Sequence, residues 1–135
     1  MKTVISAPNA PAPIAPFSPA LRVGDWIYLS GAGGFDPSTG QLVSEDVTGQ
    51  TVQLFRNVEE LLTAAGATLD DVVSCLVHLT DLDDFAEFNR AYSDVFVGTL
   101  PVRTTVRADL VAGMRVEVTV VAYRPATSRE ATAPA

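Results

Sequence analysis

The hydrophobic pattern of residues 47–65 constrains the fold more than any other feature of the chain, because its positions recur at steps of three and four residues. That spacing places them along one stripe of an α-helix. Asp46 is a suitable N-cap and Gly66 a suitable stop, so the pattern predicts a helix between them. The stripe consists of Val47, Thr51, Leu54, Phe55, Val58, Leu61, Leu62 and Ala65.

The residues that follow predict a central strand and then a second helix. Residues 72–80 are apolar except for Ser74 and His78, which is typical of a strand inside a sheet. Asp81 or Asp83 can cap the second helix. Its buried side is predicted to carry Phe85, Phe88, Tyr92, Val95 and Phe96.

Strands are also predicted toward both ends of the chain. Residues 20–30 hold two short apolar runs around Gly24 and Asp25, a dipeptide that suits a turn. Two final strands are predicted at 102–108 and 114–123. The order β-β-β-α-β-α-β-β predicts an α+β fold in which a mixed six-stranded sheet carries two helices on one face. Its other face is partly apolar and partly polar in the last two strands, which suits an assembly interface containing a site.

Length and composition indicate one soluble domain. At 135 residues the chain is predicted to be a single domain, 1–135. Five of its nine prolines lie between Pro8 and Pro19, so the Pro-rich segment 7–19 is expected to be extended. Residues 125–135 are small and polar and are expected to form a disordered tail.

Charge and cysteine content exclude several classes of partner. The net charge is −7 and the nine Lys and Arg residues are scattered, which argues against binding nucleic acid. The single cysteine, Cys75, excludes an internal disulfide and suits a reducing compartment. No apolar run is long enough to span a membrane or to serve as a secretion signal. A cytoplasmic location is therefore expected.

Arg103 and Glu117, in the last two predicted strands, are candidate site residues. Side chains alternate along a strand, so Arg103, Thr105 and Arg107 share one face, as do Arg115, Glu117 and Thr119. If these strands form an antiparallel hairpin, Arg103 lies opposite Glu117, with Cβ atoms within about 5 Å of each other.

This pair has two interpretations that the pattern alone leaves open. Arg103 and Glu117 can form a cross-strand ion pair on a solvated surface, where such pairs contribute about 0–1 kcal/mol. Alternatively, the guanidinium of Arg103 binds a substrate carboxylate through two parallel hydrogen bonds, and Glu117 orients or deprotonates a water molecule. The second arrangement suits hydrolysis at a carbon next to a carboxylate.

A collinear series of short motifs favours the second interpretation. In order and spacing the series resembles the Rid/YjgF family from about residue 7 to residue 124. The motifs are Ile14-Ala15-Pro16-Phe17, Leu29-Ser30-Gly31, Asp36-Pro37-Ser38-Thr39-Gly40, Asn57, Asp84-Phe85 with Asn89, Pro101-Val102-Arg103-Thr104-Thr105-Val106 and Val116-Glu117-Val118.

This resemblance implies an assembly, a reaction and the residues that perform it. It implies a homotrimer with a central barrel, and substrate clefts between neighbouring subunits. It also implies hydrolysis of 2-imino and 2-enamino acids, such as 2-aminoacrylate, to 2-keto acids and ammonia without a metal or organic cofactor. By position, Arg103 binds the carboxylate and Glu117 positions water. Residues that match the lining of the cleft are Ser30, Gly31 and Asn89.

Two departures from the family pattern affect the candidate site. Phe17 stands where the deaminating branch usually has tyrosine, so a hydrogen-bond donor is missing. Thr105 stands where cysteine is frequent, and it keeps a hydroxyl but cannot act as a thiolate. Both residues are predicted to contact the substrate. They also motivate an alternative function, a non-catalytic or pathway-specialised trimer that binds small carboxylates. A third function, RNA cleavage, is disfavoured by the acidic charge.

Other reactive residues are interpreted as structural. His78 is the only histidine and is predicted to be half-buried in its strand. Cys75 is predicted to pack in the core. The glycine-rich run 31–34 lacks the following lysine and helix of a phosphate-binding loop.

Overall fold

The structure of the chain, a computed structural model, describes residues 1–127. The predicted order and the α+β class are confirmed, with both helices on the same face of one six-stranded sheet. The elements are β1 (Lys2–Ile5), β2 (Ala20–Val23), β3 (Trp26–Leu29), α1 (Val47–Ala64), β4 (Val72–Leu79), α2 (Phe85–Ser93), β5 (Val102–Arg107) and β6 (Val116–Tyr123). The sequence pattern did not locate β1, and part of the predicted tail, residues 128–135, lies outside the described residues.

The strands follow the order β1-β2-β3-β6-β4-β5, in which only β4 and β5 are parallel. The parallel pair arises because α2 carries the chain back across the sheet between β4 and β5. Strand β4 is continuously apolar on its helix-covered side, and it occupies an interior position with a neighbour on each side. Strands β1 and β5 form the two edges of the sheet.

The predicted hairpin between the last two strands is wrong, because β4 lies between them. Arg103 of β5 is the neighbour of Cys75, and Glu117 of β6 is the neighbour of His78. Residues 108–115 are long enough to pass over the end of β4. During this crossing the amide of Thr80 donates a 3.1 Å hydrogen bond to a carbonyl of the connection. Consecutive strands therefore need not pair when the connection exceeds a tight turn.

Helix α1 begins where its cap was predicted. The Asp46 carboxylate accepts a 2.9 Å hydrogen bond from the amide of Gly49, which satisfies a donor that the first turn would leave free. After Ala64 the chain turns at Gly66, whose φ of +80° a glycine adopts without steric cost. The buried side of the helix includes Leu54, Val58 and Leu62. Within the described residues, no helix has the length and hydropathy needed to cross a membrane.

Helix α2 follows a short turn that Asp81 caps. The Asp81 side chain accepts a 2.9 Å hydrogen bond from the amide of Asp83 and so caps the 3-10 turn Leu82–Asp84. The predicted cap is therefore found at this turn and not at α2 itself, whose N-cap Asp84 makes no side-chain capping hydrogen bond. Phe88, Tyr92 and Phe96 pack against α1, with neighbouring ring centroids about 5.0–5.8 Å apart. The prediction that Phe85 is buried is wrong. It begins the helix at the margin of the core and remains 44% exposed.

A buried arginine ties three distant parts of the chain together. Arg22 of β2 is 8% exposed, and its guanidinium donates to the carbonyl oxygens of Gly24, Arg124 and Ala65 at 3.2, 3.0 and 2.6 Å. The Ala65 carbonyl lies at the C-terminal end of α1, where the helix dipole favours a cation. Arg22 thus joins β2 to the ends of α1 and β6.

Replacing Arg22 with methionine should lower the free energy of unfolding by about 2–4 kcal/mol. Methionine keeps an apolar stem but leaves buried carbonyl groups without their donor, which costs about 1–3 kcal/mol per group. Urea denaturation at a fixed protein concentration measures the change. Arg56→Met, on the exposed side of α1, is the matched control and should change stability by less than about 0.5 kcal/mol. Equal stability of the two variants would contradict the role of Arg22.

Candidate functional site

Glu117 lies on the open face of the sheet, directly beside the loop that follows β3. Its neighbour Val118 exchanges two backbone hydrogen bonds, of 2.9 and 3.1 Å, with Ala32. These bonds bring Gly31 against the glutamate side chain. A Cβ atom at Gly31 would stand 2.6 Å from Cδ and 2.8 Å from Oε1 of Glu117. Because Gly31 has no side chain, the Glu117 carboxylate can occupy this space.

The loop from Gly31 to Phe35 is anchored to α1. Asn57 of α1 is buried, and its side-chain amide donates to the carbonyls of Gly33 and Phe35 at 3.2 and 2.9 Å. At Gly34 a Cβ would lie 2.6 Å from the backbone oxygen of Gln50, so the loop packs directly on the helix backbone. Sequence reasoning assigned no role to Asn57. The available signal was a polar residue within an apolar helical face.

Ser30 and Phe17 extend the same site toward the Pro-rich segment. The Ser30 hydroxyl donates a 2.6 Å hydrogen bond to the carbonyl of Ser18, and its amide donates to Pro19 at 3.0 Å. This serine consequently holds the Pro-rich segment against the end of β3. Phe17 is half-exposed beside it.

These residues line one cleft of about 530 Å³. Phe17, Ser30, Gly31 and Glu117, four of the predicted site residues, contribute to its walls. Glu117 is the only charged residue among the lining residues that the structure describes, and most of the remaining wall is apolar. Arg103, Thr105 and Asn89 do not line this cleft.

Arg103 lies on the helix-covered face, at the edge formed by β5 and α2. Its Nη2 atom donates a 2.7 Å hydrogen bond to Oδ1 of Asn89. The guanidinium carbon is 4.8 Å from the centroid of the Tyr92 ring, 5.4 Å from that of Phe88 and 5.6 Å from that of Phe85. We call these three rings the aromatic shelf. They attract the cation while leaving part of its planar fork free.

Within the described residues no carboxylate pairs with Arg103, although Arg115 and Arg124 each have one. A half-buried guanidinium without an internal counter-ion is suited to an external carboxylate, which it can bind through two parallel hydrogen bonds. Asn89 was predicted to line the cleft, and here its side-chain oxygen contacts Arg103. Thr105 is two residues further along β5 on the same face and is half-buried.

Arg103 and Glu117 are far apart within one chain, so the predicted shared face is wrong. Their neighbours in β4, Cys75 and His78, are three residues apart and therefore face opposite sides. Three residues along a strand and two inter-strand spacings separate their Cα atoms by about 14 Å. The predicted site residues thus form two groups. We call the group around Glu117 the cleft half-site, and Arg103 with Asn89 and Thr105 the arginine half-site.

His78 is half-buried, as predicted, but it is not isolated from other ionisable groups. The register makes it the direct neighbour of Glu117 on the open face. Its Nδ1 atom is buried and has no hydrogen-bond partner in the part of the chain that the structure describes. Sequence reasoning missed this neighbour, because Glu117 is distant along the chain and pairs through a strand order that the pattern did not reveal.

Cys75 and Tyr92 lie beneath the arginine half-site. Cys75 is buried, as predicted, and this burial raises the pKa of its thiol. Burial also raises the pKa of the Tyr92 hydroxyl, and the neighbouring Cys75 adds to the effect. Both groups are therefore neutral at physiological pH. Cys75 is consequently not an activated nucleophile. Among the described residues, no cluster of three or more His, Cys, Asp or Glu side chains could hold a metal ion.

Comparison with known proteins identifies the family. The family model described as endoribonuclease L-PSP matches residues 7–124. A 2-iminobutanoate/2-iminopropanoate deaminase from Mus musculus is 42% identical over 92% of this chain and 93% of that protein. A RutC family protein from Pyrococcus horikoshii is 38% identical over 92% of this chain and 99% of that protein.

Solved structures agree with this assignment. The crystal structure of RidA from the Antarctic bacterium Psychrobacter has a TM-score of 0.87 at 38% identity, covering 90% of this chain and 98% of that one. E. coli TdcF, solved with bound serine, has a TM-score of 0.86 at 30% identity, with 90% and 98% coverage. The chain therefore belongs to the Rid/YjgF family, the family of the resemblance stated above.

The raised pKa of Cys75 predicts a loss of stability at alkaline pH. An unfolded thiol ionises near pH 8.5, whereas the buried thiol stays neutral, so the unfolded state loses the proton first. Stability is retained below that pH, and it should fall above it with a slope of up to about 1.4 kcal/mol per pH unit. Urea denaturation between pH 7.5 and 10 under reducing conditions measures the slope. Cys75→Ala should flatten it, and an unchanged slope would contradict the assignment.

Proposed function

We propose that this protein hydrolyses 2-imino and 2-enamino acids, including 2-aminoacrylate, to 2-keto acids and ammonia. In this proposal each active site joins the cleft half-site of one copy of the chain to the arginine half-site of a second copy. Arg103 binds the substrate carboxylate, and Glu117 of the other copy positions the attacking water.

The observation that carries the proposal is the separation of the two half-sites. Among the residues that the structure describes, the cleft half-site has a carboxylate and an apolar cleft but no cation, while the arginine half-site has a cation without an internal counter-ion. Neither half alone is equipped to bind a 2-imino acid and hydrolyse it. About 14 Å and the sheet itself separate the two half-sites within one chain. The simplest way to form a complete site is therefore to combine half-sites from two copies.

The chemistry follows from these positions. An enamino acid first accepts a proton at its terminal carbon and becomes the iminium form. Water then attacks C2 while Glu117 accepts a proton from it, which gives a tetrahedral carbinolamine. Glu117 passes that proton to the nitrogen. The C–N bond then breaks while the C2 hydroxyl gives its proton back to Glu117, which leaves the keto acid and ammonia. Arg103 holds the carboxylate in place throughout, so the reacting carbon stays near Glu117.

The aromatic shelf and Asn89 support the role of Arg103. The three rings and the hydrogen bond from Nη2 to Asn89 restrict the guanidinium to one orientation before a substrate arrives. Restricting the side chain in advance reduces the conformational entropy lost on binding. The relative TdcF was solved with serine, itself a 2-amino acid with a carboxylate, which is consistent with such a ligand here.

The open face of the sheet supports assembly with further copies, and the proposal adopts the homotrimer implied by the resemblance. Trp26, Tyr28 and Leu76 are 42, 46 and 38% exposed in the single chain, and all three lie on the face that the helices do not cover. Covering these large apolar side chains would stabilise an assembly through the hydrophobic effect.

A second candidate function is binding of small carboxylates without turnover. Phe17 provides no hydroxyl to the cleft half-site, so Glu117 is the only acid–base group on the cleft wall among the described residues. RNA cleavage, suggested by the name of the family model, is less compatible with the molecule. The net charge is −7, and the described lining of the cleft contains no Lys or Arg that would neutralise phosphates.

Mixing two inactive variants tests whether the site is shared. Arg103→Ala and Glu117→Gln should each lower the rate of imine hydrolysis by at least about 100-fold, because each removes an interaction made in the transition state. Co-expressing both variants in one cell should restore about a quarter of the wild-type activity per site, since a quarter of random interfaces combine two intact half-sites. Ammonia release from 2-aminoacrylate, supplied by a dehydratase, measures the activity.

Co-expression of either variant with itself is the control and should remain inactive. Activity that stays absent in the mixture, although mixed oligomers form, would contradict a shared site. Wild-type protein that binds 2-ketobutyrate through Arg103 but accelerates no imine would support the binding function instead.

A further inference from the structure

The cleft half-site offers more apolar space than the smallest imino acids can fill. In the single chain its volume is about 530 Å³, whereas 2-aminoacrylate has a single carbon beyond C2. Phe17 and the Pro-rich segment form one wall, and Phe35, Leu61 and Met114 form another. Apart from Glu117, these walls contain few polar groups. The space is therefore suited to an apolar group.

The deep wall of this cleft is built on a fixed backbone. Gly33 leaves its position free of a side chain, and a Cβ there would collide with the sulfur of Met114 and lie 2.8 Å from the ring of Phe35. The two side chains thus meet over the glycine. Asn57 holds the carbonyls on both sides of this point through its amide. The apolar wall is consequently present before any ligand binds, which lowers the cost of binding one.

The geometry of a 2-imino acid assigns each of its three substituents to a different surface. Carbon C2 is planar and carries the carboxylate, the nitrogen and the side chain. In the proposed site the carboxylate contacts Arg103 of the second copy, and the nitrogen and water lie near Glu117. The side chain then points toward the apolar walls.

We infer that this cleft receives the substrate side chain, and that the protein favours 2-imino acids with branched or aromatic apolar side chains over those with one or two carbons. The inference rests on the proposed function and adds the substrate class to it. Each methylene transferred from water to an apolar wall favours binding by about fourfold. A benzyl or isobutyl group should therefore raise kcat/KM by at least about tenfold over a methyl group.

The test compares imines of increasing size on the full-length protein. Amino-acid oxidases generate the imines from alanine, leucine and phenylalanine in the presence of semicarbazide, which traps the imine that has not been hydrolysed. The loss of semicarbazone absorbance gives kcat/KM for each imine. We expect the phenylalanine and leucine imines to exceed the alanine imine by at least about tenfold.

Variants of the walls test which residues produce the preference. Phe35→Ala should lower the ratio of phenylalanine to alanine kcat/KM several-fold, and Phe35→Leu should retain most of it. Phe17→Ala, at an exposed position that cannot disrupt the core, provides a second variant should Phe35→Ala fold poorly. Val43→Ala is the matched control, since Val43 is exposed and lies outside the cleft. It should leave the ratio unchanged.

The possible outcomes separate this inference from the proposed function. Arg103-dependent turnover with equal or better use of the alanine imine would overturn the substrate class but leave the deaminase function in place. A preference for large imines that neither Phe35→Ala nor Phe17→Ala alters would also overturn it. Failure to accelerate any imine would contradict the proposed function and, with it, the inference.

Discussion

The interior position of β4 determines where every candidate group of the site lies. Because β4 separates β5 from β6, Arg103 and Glu117 are two strands apart. Their registers with Cys75 and His78 of β4 place them on opposite faces of the sheet. Arg103 consequently meets α2, where the aromatic shelf and Asn89 hold it. Glu117 meets the glycine-rich loop on the other face. The strand order and the two registers together thus separate the candidate groups of one chain into two half-sites.

The electrostatics of the chain are consistent with local recognition of an anion. A net charge of −7 repels anionic ligands at long range, but salt screens this repulsion beyond about 8–10 Å. At close range the orientation of one guanidinium dominates, because a bidentate carboxylate contact combines charge with two hydrogen bonds. The arginine half-site provides such an orientation. In the cleft half-site Glu117 has apolar surroundings, which strengthen its interaction with any developing charge.

Local sequence patterns predicted most helices and strands, but they did not predict which strands pair with each other. The cap at Asp46, the stripe of α1 and the apolar run of β4 depend on neighbouring residues, and the structure confirms them. The prediction of a hairpin between β5 and β6 was wrong because the order of strands depends on which strand is apolar enough to lie inside the sheet, here β4. That property belongs to the whole sheet, so alternation within one strand could not reveal it.

The sequence suggested which residues belong to the candidate site, but it did not predict how they are arranged. The resemblance named Arg103, Glu117, Ser30, Gly31 and Asn89, and four predicted residues, including Phe17, line one cleft. The sequence did not predict the contact of Asn89 with Arg103 or the anchoring role of Asn57. Both depend on side chains that the fold brings together from distant segments. The sequence of one chain also carries no direct sign of the sharing between copies that we propose.

A crystal structure of the protein grown with 2-ketobutyrate, a stable product of the proposed reaction, tests directly whether two copies share each site. We expect the carboxylate to bind the guanidinium of Arg103 in one copy, with the ketone carbon facing Glu117 of a neighbouring copy. A keto acid whose carboxylate lies away from Arg103, or one enclosed by the half-sites of a single chain, would contradict it.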